Sequence, residues 1–125
     1  MRLKKAGFFR ELRHGDSSGP SLAQSRGKLA ATEQSHVSRY LRGGSVLATT
    51  GNLVDDWFDN TKGVAPQELR TDGEWVWLGD LAYYVEKYAV DLPQEFLEHM
   101  ARREWIASRL SHEALIQAEE DFFAD

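Results

Sequence analysis

Residues 69–96 read LRTDGEWVWLGDLAYYVEKYAVDLPQEF, and the fold turns on them. Asp72-Gly73 stands between two short runs, Gln67 to Thr71 and Glu74 to Leu78, which predicts a two-residue hairpin loop with positive φ at both positions. Closure there sets Thr71 opposite Glu74, Arg70 opposite Trp75, Leu69 opposite Val76 and Glu68 opposite Trp77. Alternation puts Leu69 and Val76 on one face and Arg70, Trp75 and Trp77 on the other. Each indole offers about 150–250 Å² for burial, so both faces of the hairpin need cover, and a one-residue slip would exchange them. Arg70 over Trp75 is a candidate cation–π pair. The two indoles read either as core beneath a helix or as the lining of a partner surface.

Beyond the hairpin, Gly79-Asp80 ends the strand, and Asp80 is the expected N-cap, its carboxylate accepting from the first free backbone N–H groups. Leu81, Tyr84, Val85 and Tyr88 form one apolar stripe at helical spacing, while Tyr83, Glu86 and Lys87 point elsewhere, toward water. Pro93 opens a further helix, with Glu95 in its first turn.

The block DGEWVWLGDLAYYVEKYAVDLPQEF, with GFFREL, HGD and GPSL near the N-terminus, resembles a group of small bacterial proteins, chiefly actinobacterial. Leu78 stands where that pattern leads one to expect proline. The resemblance covers most of the chain except its last fifteen or so residues. It implies a compact bacterial domain, and it brings neither an activity nor catalytic residues with it.

A chain of 125 residues with 42% hydrophobic and 28% charged side chains is ordinary for one globular domain, 1–125. No apolar run is long enough to span a membrane, and the first residues lack the apolar stretch of a signal peptide. Cysteine is absent, which removes disulfides, thiolate metal sites and cysteine nucleophiles, and makes the cytoplasm the expected compartment. Charge is uneven: residues 1–42 hold nine Lys/Arg against three Asp/Glu, and residues 43–125 hold six against seventeen. Either the halves neutralise each other on folding, or an acidic surface faces a basic protein partner. The net charge of −5 disfavours nucleic acid.

In chain order, Lys4 to Leu12 is an expected strand whose adjacent Phe8 and Phe9 point to opposite faces. Residues 14–28, rich in serine and glycine, are an expected long loop, with one short helical turn from Pro20-Ser21-Leu22. Loops of that length in a small domain are often functional. A helix is expected from Thr32 or Glu33 to Arg42, stopped by a left-handed Gly43-Gly44. Ser45 to Thr50 reads as a buried strand broken at Gly51-Asn52, and Leu53 to Asp59 as a helical turn or a bulged strand, with a loop from Asn60 to Pro66. Pro93 to Trp105 is an expected helix with Phe96, Leu97, Met100 and Ala101 inward. Ser111 caps a last acidic helix over 111–125, with Leu115, Ala118 and Phe122 on one stripe and Ile116 and Phe123 beside it. These elements predict an α+β fold: a small antiparallel sheet, including a hairpin at 67–78, packed against about four helices.

Chemistry is sparse. Gly15 to Pro20 (GDSSGP) is similar to the nucleophile loop of trypsin-like proteases, but only His14 precedes Ser17, and the triad needs its histidine and aspartate far upstream. Asp55, Asp56 and Asp59, with Thr49 and Thr50 nearby, are the residues that would gather a hard cation, although they lack a calcium loop's glycine, and solvated carboxylates are the simpler reading. The four histidines show no ligand spacing; Glu95 and His99 at i, i+4 suit a hydrogen bond on the helix surface. His14 with Asp16 is the best acid–base candidate, and no cofactor motif is present.

What remains is surface. The expected function is a non-enzymatic protein-binding module, immunity-like or adaptor, binding through Trp57, Asp55, Asp56, Asp59, Arg70 and Tyr83. Carboxylates would steer the encounter, and Trp57 or Tyr83 would anchor it. Two rival expectations stand beside it. One is a small hydrolase with His14, Asp16 and the Asp55–Asp59 carboxylates round one pocket, the loop 14–28 folding over the acidic segment. The other is a structural subunit that forms homo-oligomers through its last helix.

Overall fold

The computed structural model describes residues 3–123. Its elements are β1 (Lys4–Ala6), α1 (Leu22–Ser25), α2 (Ala31–Arg42), β2 (Ser45–Val54), β3 (Ala65–Thr71), β4 (Trp75–Leu78), α3 (Leu81–Tyr88), α4 (Gln94–Arg102) and α5 (His112–Phe123). The fold is α+β. Four strands form one sheet in the order β1-β4-β3-β2, antiparallel except for β1, which lies parallel to β4 with Lys4 opposite Trp75 and Ala6 opposite Trp77.

All four residues of β4 are buried because the sheet is covered on both faces. Trp75 and Trp77 enter a core with Tyr40 and Leu41 of α2, Leu81, Tyr84 and Val85 of α3, and Phe96 and Met100 of α4. Phe96 stacks on Trp75 with ring centroids 4.4 Å apart. On the opposite face, Val76, Leu47 and Ala118 are buried together, with Leu69, Leu115 and Phe122 packed beside them, so α5 supplies the cover there. Core beneath a helix is therefore the reading that holds for both indoles. Phe8 and Phe9 divide as alternation predicts, Phe9 into the first core and Phe8 against the second.

The hairpin closes two residues away from the expected register. Thr71 pairs with Val76, Arg70 with Trp77 and Leu69 with Leu78. Gly73 alone takes positive φ in the turn, at 98°, which is the signature of a loop formed by Gly73-Glu74 and not by Asp72-Gly73. Asp72 is needed elsewhere. Its Oδ1 accepts from the backbone N–H of Glu74 (2.9 Å) and Trp75 (2.8 Å), and its Oδ2 accepts from the Tyr40 hydroxyl (2.5 Å) and contacts His99 Nε2 (2.8 Å). Burial raises its carboxyl pKa, but the Tyr40 hydroxyl, the two backbone N–H groups and His99 outweigh that and hold it below the ordinary value. A two-residue shift keeps side-chain parity, so the faces assigned from the pattern survive. His99 is thus buried against Asp72 and Glu74, not paired with Glu95 on the surface; Glu95 meets Lys4.

Other departures have local causes. β1 ends at Ala6 because Gly7 turns at φ 78°, and a Cβ there would lie 2.8 Å from a Leu81 methyl carbon. β2 runs through Gly51-Asn52 by means of a register shift between Thr49 and Leu53, with Gly51 at φ 80°. α2 ends at a right-handed Gly43 (φ −83°), not a left-handed one. The neighbouring Gly44 is required sterically, since a Cβ there would fall 2.4 Å from the Trp77 ring. α4 stops at Arg102 as Glu104 and Trp105 adopt φ of 55° and 61°, and Ala101 is exposed. Ser111 Oγ accepts from Ala114 N at 3.1 Å, the expected cap of α5.

Candidate functional site

The segment 55–61, between β2 and β3, is a turn built from its own carboxylates. Asp55 accepts from Gly63 N (3.0 Å) and Lys62 Nζ (3.1 Å), and both hold its carboxyl below the usual range. Asp59 accepts from Thr61 Oγ1 (2.7 Å) and N (2.9 Å) and pairs with Lys87 (3.0 Å), which lowers its pKa strongly. Asn60 takes the left-handed conformation, φ 61°. The Asp59–Thr61 contact is an Asx turn, in which the side chain replaces a backbone acceptor.

Asp56 does something different. It was expected on an acidic surface; it is fully buried. Its Oδ2 accepts from the hydroxyls of Tyr83 (2.6 Å) and Tyr88 (2.7 Å), and its Oδ1 accepts from Phe58 N (2.7 Å) and Asp59 N (3.2 Å). Burial pushes its pKa up, but those four donors together bring it below the ordinary value. Tyr84 adds a second tie, its hydroxyl accepting from Trp57 N at 2.9 Å. The turn is therefore stitched to α3 by three tyrosines. Tyr83, expected to face water and to anchor a partner, spends its hydroxyl on Asp56. Lys87 crosses the same site, and its pKa is raised by the Tyr83 hydroxyl and Asp59.

The remaining candidates separate. Arg70 is bound to Glu68 (2.5 Å) and to the carbonyls of Arg42 (2.9 Å) and Gly44 (2.7 Å), so it fastens the end of α2 to β3. The cation over the Trp75 ring is Lys4, 5.7 Å from the centroid. Trp57 stands out, 42% exposed, with Leu53 beside this turn at 64%. Trp105, by contrast, is half-buried and stacks on His36.

His14 pairs with Asp80, not with Asp16. Its Nε2 lies 2.7 Å from Asp80 Oδ2, while Asp16 takes the N–H and hydroxyl of Ser18. Asp80 makes no side-chain cap to α3, and its other oxygen is buried with no partner among the described residues. The imidazole lines a cleft of about 340 Å³ together with Arg13, Asp55, Asp56 and Trp57. The loop 14–28 does reach the acidic turn: Arg26 lies over the Phe58 ring at 4.9 Å and the Tyr88 ring at 4.8 Å. Asp16 lines a separate cleft beside Lys5 and Pro93. Of the residues expected round one pocket, His14, Asp55 and Asp56 therefore share a cleft, and Asp16 and Asp59 do not line it.

Sequence reasoning missed Asp80 as a partner of His14 and Asp56 as a buried hub. The available signal for the second was three tyrosines, Tyr83, Tyr84 and Tyr88, on one short helix, whose hydroxyls need partners when covered. Among the described residues no group of three or more His, Asp or Glu is placed to hold a metal ion, and no helix is long and apolar enough to cross a membrane. No protein-family model, curated protein or solved structure matches this chain.

Proposed function

We propose that the chain is a non-enzymatic protein-binding module, immunity-like or adaptor in role, that engages a protein partner through the lip formed by Leu53 and Trp57. The observation that carries this reading is the exposure of Trp57, on a turn whose backbone is fixed by Asp55, Asp56 and Asp59, and of Leu53 at the end of β2 beside it. An indole presented on a rigid support loses little conformational entropy on binding, which is what interface centres favour. Asp55 pairs with Lys62, and Asp56 and Asp59 pair with Lys87, while Arg13 and Arg26 stand beside the same turn, so charge is balanced locally and the Trp57 and Leu53 side chains supply the contact.

The test compares the wild-type chain with Trp57→Ser and Leu53→Ser in quantitative affinity capture from cells of the source. A protein held by the wild type and reduced at least tenfold on both variants supports the reading; the same set and amounts on all three baits refutes it. Both variants should unfold within about 0.5 kcal/mol of the wild type, as surface changes do, so loss of capture would report contact and not folding.

A further inference from the structure

A second cleft, of about 320 Å³, lies on the α5 face of the sheet, across His14 and Gln67 from the Trp57 lip. Its walls are apolar: Phe8, Ala48, Leu69, Leu78 and Phe122. Its polar lining is largely engaged already. Thr49 Oγ1 accepts from Gly51 N, Thr50 Oγ1 donates toward Gln67, and Glu68 is paired with Arg70. Two polar groups are left, the Gln67 amide NH₂ and His14 Nδ1, which have no partner among the described residues.

Asp80 makes this histidine unusual. The carboxylate is 1% exposed, gives one oxygen to His14 Nε2 and leaves the other without a partner among the described residues. A buried carboxylate with an orphan oxygen is destabilising, and Asp80 does not recover that cost by capping α3. What the arrangement secures is the ring: with Nε2 held against Asp80, the imidazole keeps one orientation and Nδ1 is its free edge.

We propose that this cleft binds a small apolar molecule carrying one hydroxyl group, an alkylphenol or a short-chain alcohol. The apolar body fills the space between Phe8, Leu69, Leu78 and Phe122. The hydroxyl donates to His14 Nδ1 and its oxygen accepts from Gln67 Nε2, so both unpaired groups are satisfied by one functional group. The volume sits at the low end of small-molecule sites, which fits a ligand of about ten heavy atoms and no polypeptide segment. This site is independent of the protein-binding reading, because none of its walls belongs to the 53–59 lip.

The probe is 4-propylphenol, and the control is its methyl ether, 4-propylanisole, which has the same apolar body and no donor. Both are titrated into isotopically labelled protein and followed by NMR at the His14 ring and at the methyl groups of Ala48, Leu69 and Leu78. The expected result is saturable shifts at those positions, with the phenol at least tenfold tighter than the ether. His14→Phe should abolish the preference, and Trp57→Ser should keep it. Equal affinity for phenol and ether, shifts centred on other residues, or no saturation at millimolar probe each overturn the proposal. The phenol–ether comparison on the unaltered chain decides the matter even where His14→Phe does not fold.

Discussion

Replacing Asp56 by asparagine is the sharpest test of how the acidic turn is held. The substitution is isosteric and keeps one carbonyl oxygen for the N–H groups of Phe58 and Asp59. It removes the charge and turns an NH₂ group toward the hydroxyls of Tyr83 and Tyr88, which now have to accept instead of donate. Hydrogen bonds to a charged acceptor contribute about 1.5–3 kcal/mol each and neutral ones about 0.5–1.5. Weakening two of them therefore costs roughly 2–3 kcal/mol. In a domain of this size that lowers the unfolding midpoint by roughly 8–15 °C. Urea unfolding followed by tryptophan fluorescence measures it directly, and Tyr83→Phe, which removes one donor, should cost about half as much. Acid supplies a second readout. The folded-state pKa of Asp56 lies below its ordinary value, so its contribution is present in full above that value and is lost as pH falls through the folded one. The gap between wild type and Asp56→Asn should hold at neutral pH and narrow only below about pH 4. A variant within 0.5 kcal/mol of the wild type at pH 7, or a gap indifferent to acid, would show that the stitching to α3 carries no weight.

Gly44→Ala should destabilise by about 1–3 kcal/mol, because the new methyl meets a Trp77 ring that is itself pinned by its indole N–H to the Leu41 carbonyl at 3.1 Å; calorimetry reads this, and a neutral effect would mean the end of α2 is free to shift. Tyr40→Phe removes one of the donors to Asp72 and should cost about 1.5–3 kcal/mol. Burial and the neighbouring Asp72 carboxylate raise the Tyr40 pKa, so the wild-type advantage is complete below about pH 10 and declines as pH rises beyond it; denaturant titrations at pH 7 and above pH 10 should show the gap narrowing. Phe96→Ala should cost about 3–5 kcal/mol in the same assay, since it empties the space between Trp75, Trp77 and Tyr40.

The parts of this fold that announce themselves are those set by local periodicity. The stripe Leu81, Tyr84, Val85 marks α3, and Leu115, Ala118 and Phe122 mark the buried side of α5. The two faces of the hairpin were legible because a register shift of two residues preserves parity. What local pattern hides is any side chain whose partner lies far along the chain. Asp72 and Asp80 both have the look of ordinary turn and cap residues. One is drawn instead into a buried cluster with Tyr40 and His99, and the other reaches back to His14. The candidate site shows the same division. Trp57 could be named from composition, whereas the burial of Asp56 depends on hydroxyls about thirty residues downstream, which no spacing rule connects to it.

The parallel pairing of β1 with β4 has a kinetic meaning. Lys4, Lys5 and Ala6 find their partners about seventy positions later, at Trp75, Val76 and Trp77. During synthesis residues 4–6 must wait about seventy positions for their partner, and the edge of β4 then stays open to competing strands until they dock. Early steps should therefore belong to the hairpin and the α2–α3 pair, with the N-terminal strand closing the sheet last, as the latch of a structure whose frame is already standing.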